Sequence, residues 1–264
     1  MSLPPHEIHL WLCARPLAAH PALATLITPA EQQQAANIAS LSRRTEWLAG
    51  RTLLRQCLAH YTGRNALDLA FVTTAQGKPQ LIDAPIFEAF DFNISHGQHW
   101  IGCALARAVS VGLDIDSTRR KTRINAIAAR YFHASEQQIM ANQVSEYSQQ
   151  QCFFKLWTLK EAYIKACGNK LTGRRLHDIV FTLTNDGTSA QPLFPLPDGH
   201  WHFSQRSFLS DQHLALASQW LENRPVQIRY WLWRPDASLI ELQADISRSF
   251  IDKFTGELCA FPLD

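Results

Sequence analysis

Two short segments carry residue types able to do chemistry together. Gly112-Leu-Asp-Ile-Asp116 reads as a strand, and side chains alternate between the faces of a strand, so Asp114 and Asp116 share one face. Trp157-Thr-Leu-Lys-Glu-Ala-Tyr-Ile-Lys165 reads as a helix, on which Trp157, Glu161 and Lys165, each four residues apart, form one stripe. Three carboxylates and a lysine meeting in one cleft suit a hard divalent cation such as Mg²⁺ holding a phosphate ester. The lysine suits charge that develops on a phosphate in transit. In outline this is a phosphoryl-transfer site. Each segment alone has a plainer reading: paired acids at a strand end are commonly a solvated edge. Lys160-Glu161 with Lys165 is commonly an exposed helix face with an i,i+4 ion pair.

The elements that must position these groups follow from periodicity and punctuation. Glu7 to Cys13 alternates Ile8, Leu10 and Leu12 as a strand does. Thr28-Pro29-Ala30-Glu31 has the form of a capping box with Pro at the first helical position, predicting a helix to about Ser40. Ser42 is placed to cap a second helix through Trp47, Leu54 and Leu58, ending near Gly63, with Arg44, Arg51 and Arg55 along it. Strands are expected at Leu69–Thr73, Ala89–Ile94, Trp100–Ala106 and Ser110–Ile115, with turns at Gln76-Gly77-Lys78-Pro79 and Ser95-His96-Gly97. Helices follow at Ile124–Phe132, after Ser135, and over Gln149–Cys167 before Gly168. Strands are then expected at Ile179–Leu183, Trp201–Ser207, His213–Gln219 and Val226–Trp233.

Both parts of the chain thus read as helix plus antiparallel strands. The expected division is an α+β half over residues 1–109, a second over 110–220 with the acidic motifs, and an extension over 221–264 packed on the core. No repeat is obvious in the residues. Trp231-Leu-Trp-Arg-Pro235 loosely echoes Trp11-Leu-Cys-Ala-Arg-Pro16, which is read as coincidence.

With 264 residues, 46% of them hydrophobic and 18% charged, the chain is globular and long enough for a substantial core. A net charge of +2 is too mild to argue for nucleic acid. The cysteines, Cys13, Cys57, Cys103, Cys152, Cys167 and Cys259, are scattered with no C-x-x-C pair, as expected of reduced core thiols. Pro4, Pro5, His6 and Glu7 break any leading apolar run, and no stretch reaches membrane-span length, so a cytoplasmic, non-membrane protein is expected.

Taken jointly, the motifs resemble those of the 4′-phosphopantetheinyl transferases of the Sfp type. These carry a G-[IVL]-D-[IV]-[ED] strand followed some tens of residues later by W-x-x-K-E-[AS]-x-x-K on a helix. Gly77-Lys78-Pro79 resembles the family's G-K-P turn. Phe92-Asn-Ile-Ser-His96 resembles its F-N-[IVL]-S-H strand end, and Arg130-Tyr-Phe-His-Ala-Ser-Glu136 its R-[FY]-F-x-x-x-E element. The likeness covers about residues 40–220. It implies two similar α+β halves related by a pseudo-two-fold axis, with coenzyme A in the cleft between them. The implied reaction transfers phosphopantetheine to a serine of an acyl or peptidyl carrier protein and releases adenosine 3′,5′-bisphosphate. By the same resemblance Asp114, Asp116 and Glu161 are Mg²⁺ ligands. Glu161, or Glu136 through a metal-bound water, takes the serine proton, with Glu161 favoured. Lys165 neutralises or protonates the leaving phosphate. Arg44, Arg51, Lys78, Ser95, His96 and Lys165 contact coenzyme A. Many relatives carry Glu where this chain has Asp116, whose shorter arm favours a metal contact through water. The two-half pattern implies a monomer, not the short trimeric kind of the family.

Other readings are weaker. Ser95-His96 is no hydrolase pair, because neighbours on a strand face opposite ways and no G-x-S-x-G elbow exists. Arg119, Arg120, Lys121 and Arg123 read either as a solvated face or as a docking patch for an acidic carrier. Phe153, Phe154, Leu156, Trp157 and Ile164 read as the buried stripe of a helix. A non-catalytic coenzyme A or carrier-binding module is the main alternative to the enzyme, with a metal-dependent phosphodiesterase behind it.

Overall fold

Strand β1 (Glu7–Ala14) shows why the core has two sides. Nearly all of it is buried, because Leu10 and Leu12 point into one hydrophobic cluster while Trp11 and Cys13 point into another. The computed structural model describes residues 3–15, 25–74, 78–82, 89–168, 173–183, 190–194, 196, 199–222, 225–234 and 239–242. After β1 come α1 (Pro29–Ala36) and α2 (Leu41–Thr62), then β2 (Phe71–Thr73), β3 (Pro79–Leu81), β4 (Phe90–His96) and β5 (Trp100–Arg107). The second half runs β6 (Ser110–Ser117), α3 (Ile124–Tyr131), α4 (Ala134–Ala141), α5 (Glu146–Ala166), α6 (Gly173–Asp178), β7 (Phe181–Leu183), β8 (Ala190–Pro192), β9 (His200–Phe208) and β10 (Gln212–Trp220).

The halves repeat one topology. Each has a strand, a long helix, a small two-stranded sheet and two further strands, and the main sheets are ordered β1-β5-β4 and β6-β10-β9. In both, the first strand pairs with the last. The duplication is legible in topology and not in residue identities. Leu10, Leu12 and Ala104 of the first sheet pack on Leu113, Ile115, Leu214 and Leu216 of the second. Helix α2 covers the outer face of the first sheet with Leu53, Leu54 and Leu58, and α5 covers that of the second. The layers are therefore helix, sheet, sheet, helix.

Several element ends move relative to the sequence reading. The Thr28 capping box forms as expected, but α1 stops at Ala36. Ser40, not Ser42, caps α2, which ends on the left-handed Gly63 (φ 68°). Capped by Ser145, α5 begins at Glu146, three residues upstream of the expected start, and Gly168 (φ 65°) follows its end. His133, not Ser135, caps α4, with Glu136 closing the box. The short β3, β8 and α6 were not anticipated, and Gly77 lies outside the described residues.

The tail joins the first half. β11 (Gln227–Trp233) runs parallel to β1, and β12 (Leu239–Leu242) pairs with β11, giving a five-stranded sheet β12-β11-β1-β5-β4. The echoing segments are neighbours in register, Trp11 opposite Trp231 and Leu12 opposite Leu232. Both strands bury aromatic and aliphatic residues on two faces and so draw on the same residue types. Pro16 and Pro235 lie outside the described residues. Cys13, Cys57, Cys103, Cys152 and Cys167 are free thiols, and Cys259 is not described. No described helix is long and apolar enough to cross a membrane.

A side-chain ladder joins the sheets at their edges. Asp91, Asn93 and Ser95, alternate residues of β4, accept the backbone N–H groups of Val111, Leu113 and Ile115 at 2.7, 2.9 and 3.0 Å. The outer edge of β6 is thereby satisfied without a neighbouring strand. On the other face of β6, helix α5 rests directly on Gly112. A Cβ there would lie 2.0 Å from the Ala162 carbonyl oxygen and 2.4 Å from the Ala166 nitrogen. Backbone cannot give way as a flexible side chain can. We predict that Gly112→Ala lowers unfolding stability by about 2–3 kcal/mol, measured by urea denaturation; an unchanged midpoint would show that α5 does not need this close seat.

Candidate active site

The alternation of β6 decides where its acids go. Leu113 and Ile115 face the core between the sheets, so Gly112, Asp114 and Asp116 face α5. With α5 seated on Gly112, its Trp157–Glu161–Lys165 stripe lies beside those acids. Lys165 Nζ donates to Asp114 Oδ1 at 2.6 Å and to Ser95 Oγ at 3.3 Å. Ser95 Oγ in turn donates to Asp114 Oδ1 at 3.0 Å while accepting from Ile115. Asp116 pairs with Arg120 at 3.0 Å and accepts the Ser117 N–H at 2.8 Å. Both aspartates are 7% exposed.

Two chambers meet at this seam. The first, about 610 Å³, is lined by Asp114, Asp116, Glu161 and Trp157, with Arg15, Arg119, Arg120 and Lys121 around it. The second, about 590 Å³, is lined by Trp47, Arg51, Lys78, Asn93 and Lys165 among others. His96 borders both. The first holds all the carboxylates, Glu46, Asp114, Asp116 and Glu161, beside four cations; the second holds Arg51, Lys78 and Lys165 with no carboxylate among the described residues, and the Lys165–Asp114 pair stands between them.

Of the residues expected at the site, Asp114, Asp116, Glu161, Lys165, Ser95, His96, Arg51 and Lys78 border one chamber or the seam. Arg51 is sandwiched by the Trp47 and Phe71 rings at 5.1 and 4.9 Å and pairs with Glu31 at 3.2 Å. Its buried Nη1 has no partner among the described residues. Lys78 Nζ is held by Asp91 at 2.5 Å and by the Val111 carbonyl at 3.1 Å. His96 rests against Gly50, whose missing side chain leaves room for the ring; burial there, with Lys165 nearby, pushes the imidazole down to about 4.

Two expectations need correction. Arg44 lines neither chamber: it donates to the Ile38 carbonyl at 2.9 Å and the Ala36 carbonyl at 3.3 Å, closing the C-terminal end of α1. Glu136 is no base in the cleft. It is wholly buried, closes the cap of α4, accepts the Phe181 N–H at 3.0 Å and pairs with Lys160 at 2.8 Å. Lys160, which the plainer reading of its segment would put on an exposed helix face, is buried with it. The sequence reading also passed over Asp91, Asn93, Trp47, Glu46 and Arg15. The period-two run of polar acceptors Asp91-x-Asn93-x-Ser95 was the signal for the ladder.

Burial and mutual repulsion raise two of the acids. Burial, together with repulsion from Asp114, pushes Glu161 up to about 7, against opposition from Lys165 and Arg120. Burial also raises Asp116 to about 6, with Arg120 opposing and Asp114 adding to it. Glu161 holds no hydrogen bond or ion pair among the described residues. Asp114 faces Lys165 and Asp116 faces Arg120, so no three ligand groups among the described residues close on one point as they stand. An all-oxygen donor set with an unbalanced carboxylate fits a hard divalent cation.

A carboxyl whose folded value lies above its unfolded value binds more protons folded than unfolded. Stability therefore falls as pH rises from about 4.5 through about 7. Glu161→Gln removes that cost. We predict that, without added metal, the variant is more stable than the natural protein by about 1–3 kcal/mol at pH 8 and equal to it near pH 4.5, measured by thermal unfolding at both values. A pH-independent difference would contradict a strained carboxylate.

Comparison with known proteins places this architecture. Residues 110–217 match the family described as the 4′-phosphopantetheinyl transferase superfamily, and residues 15–107 match 4′-phosphopantetheinyl transferase, N-terminal. The chain is 31% identical over 180 residues to the 4′-phosphopantetheinyl transferase HetI of Nostoc sp., covering 67% of this chain and 75% of that one. It is 35% identical over 157 residues to the transferase psf-1 of Bacillus pumilus, covering 60% and 62%. It is 32% identical over 154 residues to Sfp of Bacillus subtilis, covering 58% and 63%. With both halves matched, the acids of β6 facing the stripe of α5 and the duplicated α+β topology, this chain belongs to the 4′-phosphopantetheinyl transferase superfamily and is an enzyme of the two-half, Sfp type.

Proposed function

We propose that the two chambers are the two ends of one substrate site, with coenzyme A lying across the seam and a carrier-protein serine entering from the acidic side. The observation that carries this reading is the Lys165–Asp114 pair at 2.6 Å, which sets a cation from the basic chamber against a carboxylate of the acidic one. A molecule with phosphates at one end and a reacting pyrophosphate further along matches that change of charge. Arg51, with an unpaired Nη1 and a planar fork, suits the 3′-phosphate. Lys78 adds charge at the same chamber.

In the acidic chamber, Asp114, Asp116 and Glu161 would hold Mg²⁺, which when bound polarises the attacked phosphate. The serine oxygen forms its bond to the β-phosphorus, and the bridging P–O bond to the adenosine bisphosphate breaks with its electron pair leaving on oxygen. Glu161 draws the proton from the serine hydroxyl, a poor nucleophile until that proton is removed. Lys165 stabilises the charge arriving on the leaving phosphate. Ser95 orients Asp114, and through the ladder it ties that carboxylate to the first half. Arg119, Arg120 and Lys121 at the rim favour the approach of an acidic carrier. With both halves in one chain, the site needs no second copy, and we infer a monomer.

The test is intact mass spectrometry of an apo acyl carrier protein, with a peptidyl carrier alongside, incubated with this protein, coenzyme A and Mg²⁺. The expected gain is about 340 Da, lost when EDTA is added. Binding of coenzyme A with no gain on either carrier would favour the non-catalytic module.

A further inference from the structure

Between the far side of α5 and the start of α4 lie two charges that the reaction does not use. Lys160 and Glu136 are both 0% exposed. Lys160 Nζ donates to Glu136 Oε2 at 2.8 Å, to the Leu176 carbonyl at 2.8 Å and to the Ile179 carbonyl, and it lies 5.4 Å from the Phe132 ring centroid. Its three N–H groups thus all have acceptors. Glu136 accepts the Phe181 N–H on Oε1 and the His133 N–H on Oε2, both at 3.0 Å. One turn of α5 is thereby tied to the start of α4, to α6, to the segment after it and to β7.

Charges buried this way are a poor device for stability alone, since apolar residues of similar volume often serve as well. What directed bonds add is orientation. Apolar packing tolerates a small rotation of a helix, whereas a pair held by five hydrogen bonds does not. The residue after Lys160 is Glu161, one rigid helical step round the axis. A roll of about 10° would move a carboxylate lying about 6 Å from the axis by about 1 Å, and a misplacement of that size costs roughly 100-fold in rate. Gly112 seats α5 from the β6 side, and the buried pair fixes it from the other.

We propose that Lys160 and Glu136 are positioning residues: their buried pair sets the roll of α5 and so aims Glu161 at Asp114 and Asp116. Neither touches substrate. The inference rests on the reading of Glu161 as an acid of the transfer site. The test compares the natural protein with Lys160→Met/Glu136→Gln, which removes both buried charges and leaves an amide oxygen for the Phe181 N–H. Transfer to carrier is followed at saturating Mg²⁺ and scaled to folded protein by circular dichroism. The expected result is a fall in kcat of about 10- to 100-fold with the KM for coenzyme A within about twofold. Lys160→Arg keeps the charge but not the three donor directions, and the same split is expected there, so the outcome does not depend on the double variant folding. An unchanged kcat per folded molecule in the variants that fold, or a raised KM with unchanged kcat, overturns the proposal and leaves the pair a structural one. Failure of the natural protein to modify any carrier would instead overturn the functional reading.

Discussion

The structure depends on how the outer edge of β6 is satisfied. An exposed strand edge must pair with something, and here it pairs with side chains: Asp91, Asn93 and Ser95 stand where a backbone would. A backbone partner would have merged the two sheets into one. The ladder instead keeps them as two stacked layers while fixing their register to the residue. Its last rung, Ser95, also grips Asp114, so the joint between the halves and the first carboxylate of the site are one hydrogen-bonded unit. Lys78 reinforces the first rung through Asp91 and the Val111 carbonyl.

From that joint the electrostatics follow. A strand fixed on one edge by the first half and covered on one face by α5 must present its acids along the seam, where they are buried and crowded. The fold tolerates this by facing Asp114 with Lys165 and Asp116 with Arg120, and it leaves Glu161 without a cation. The raised values of Glu161 and Asp116 are the cost of that arrangement. The unpaired carboxylate is where the proposed cation would add its charge.

Much of the site was legible in the sequence because it obeys short-range periodicities. Period two put Asp114 and Asp116 on one face of β6, and a spacing of four put Trp157, Glu161 and Lys165 on one stripe of α5. The two-half organisation was legible from the order of elements, and the family from its ordered motifs. What escaped depended on contacts between distant segments. Glu136 and Lys160 look like surface charges locally, and only the packing of α4, α6 and β7 buries them together. Arg44 sits on the right helix but its fork is satisfied by the end of α1. The place of the tail beside β1 is a matter of topology, which no local pattern encodes.

The central claim is that Glu161 serves both to hold the metal and to accept the serine proton at the seam. Single-turnover transfer to an apo carrier protein, followed by intact mass for the natural protein and Glu161→Ala at saturating Mg²⁺ and coenzyme A, tests it most directly. The account predicts a loss of roughly 1,000-fold or more in the transfer rate with the protein folded. Near-natural turnover of Glu161→Ala would contradict it.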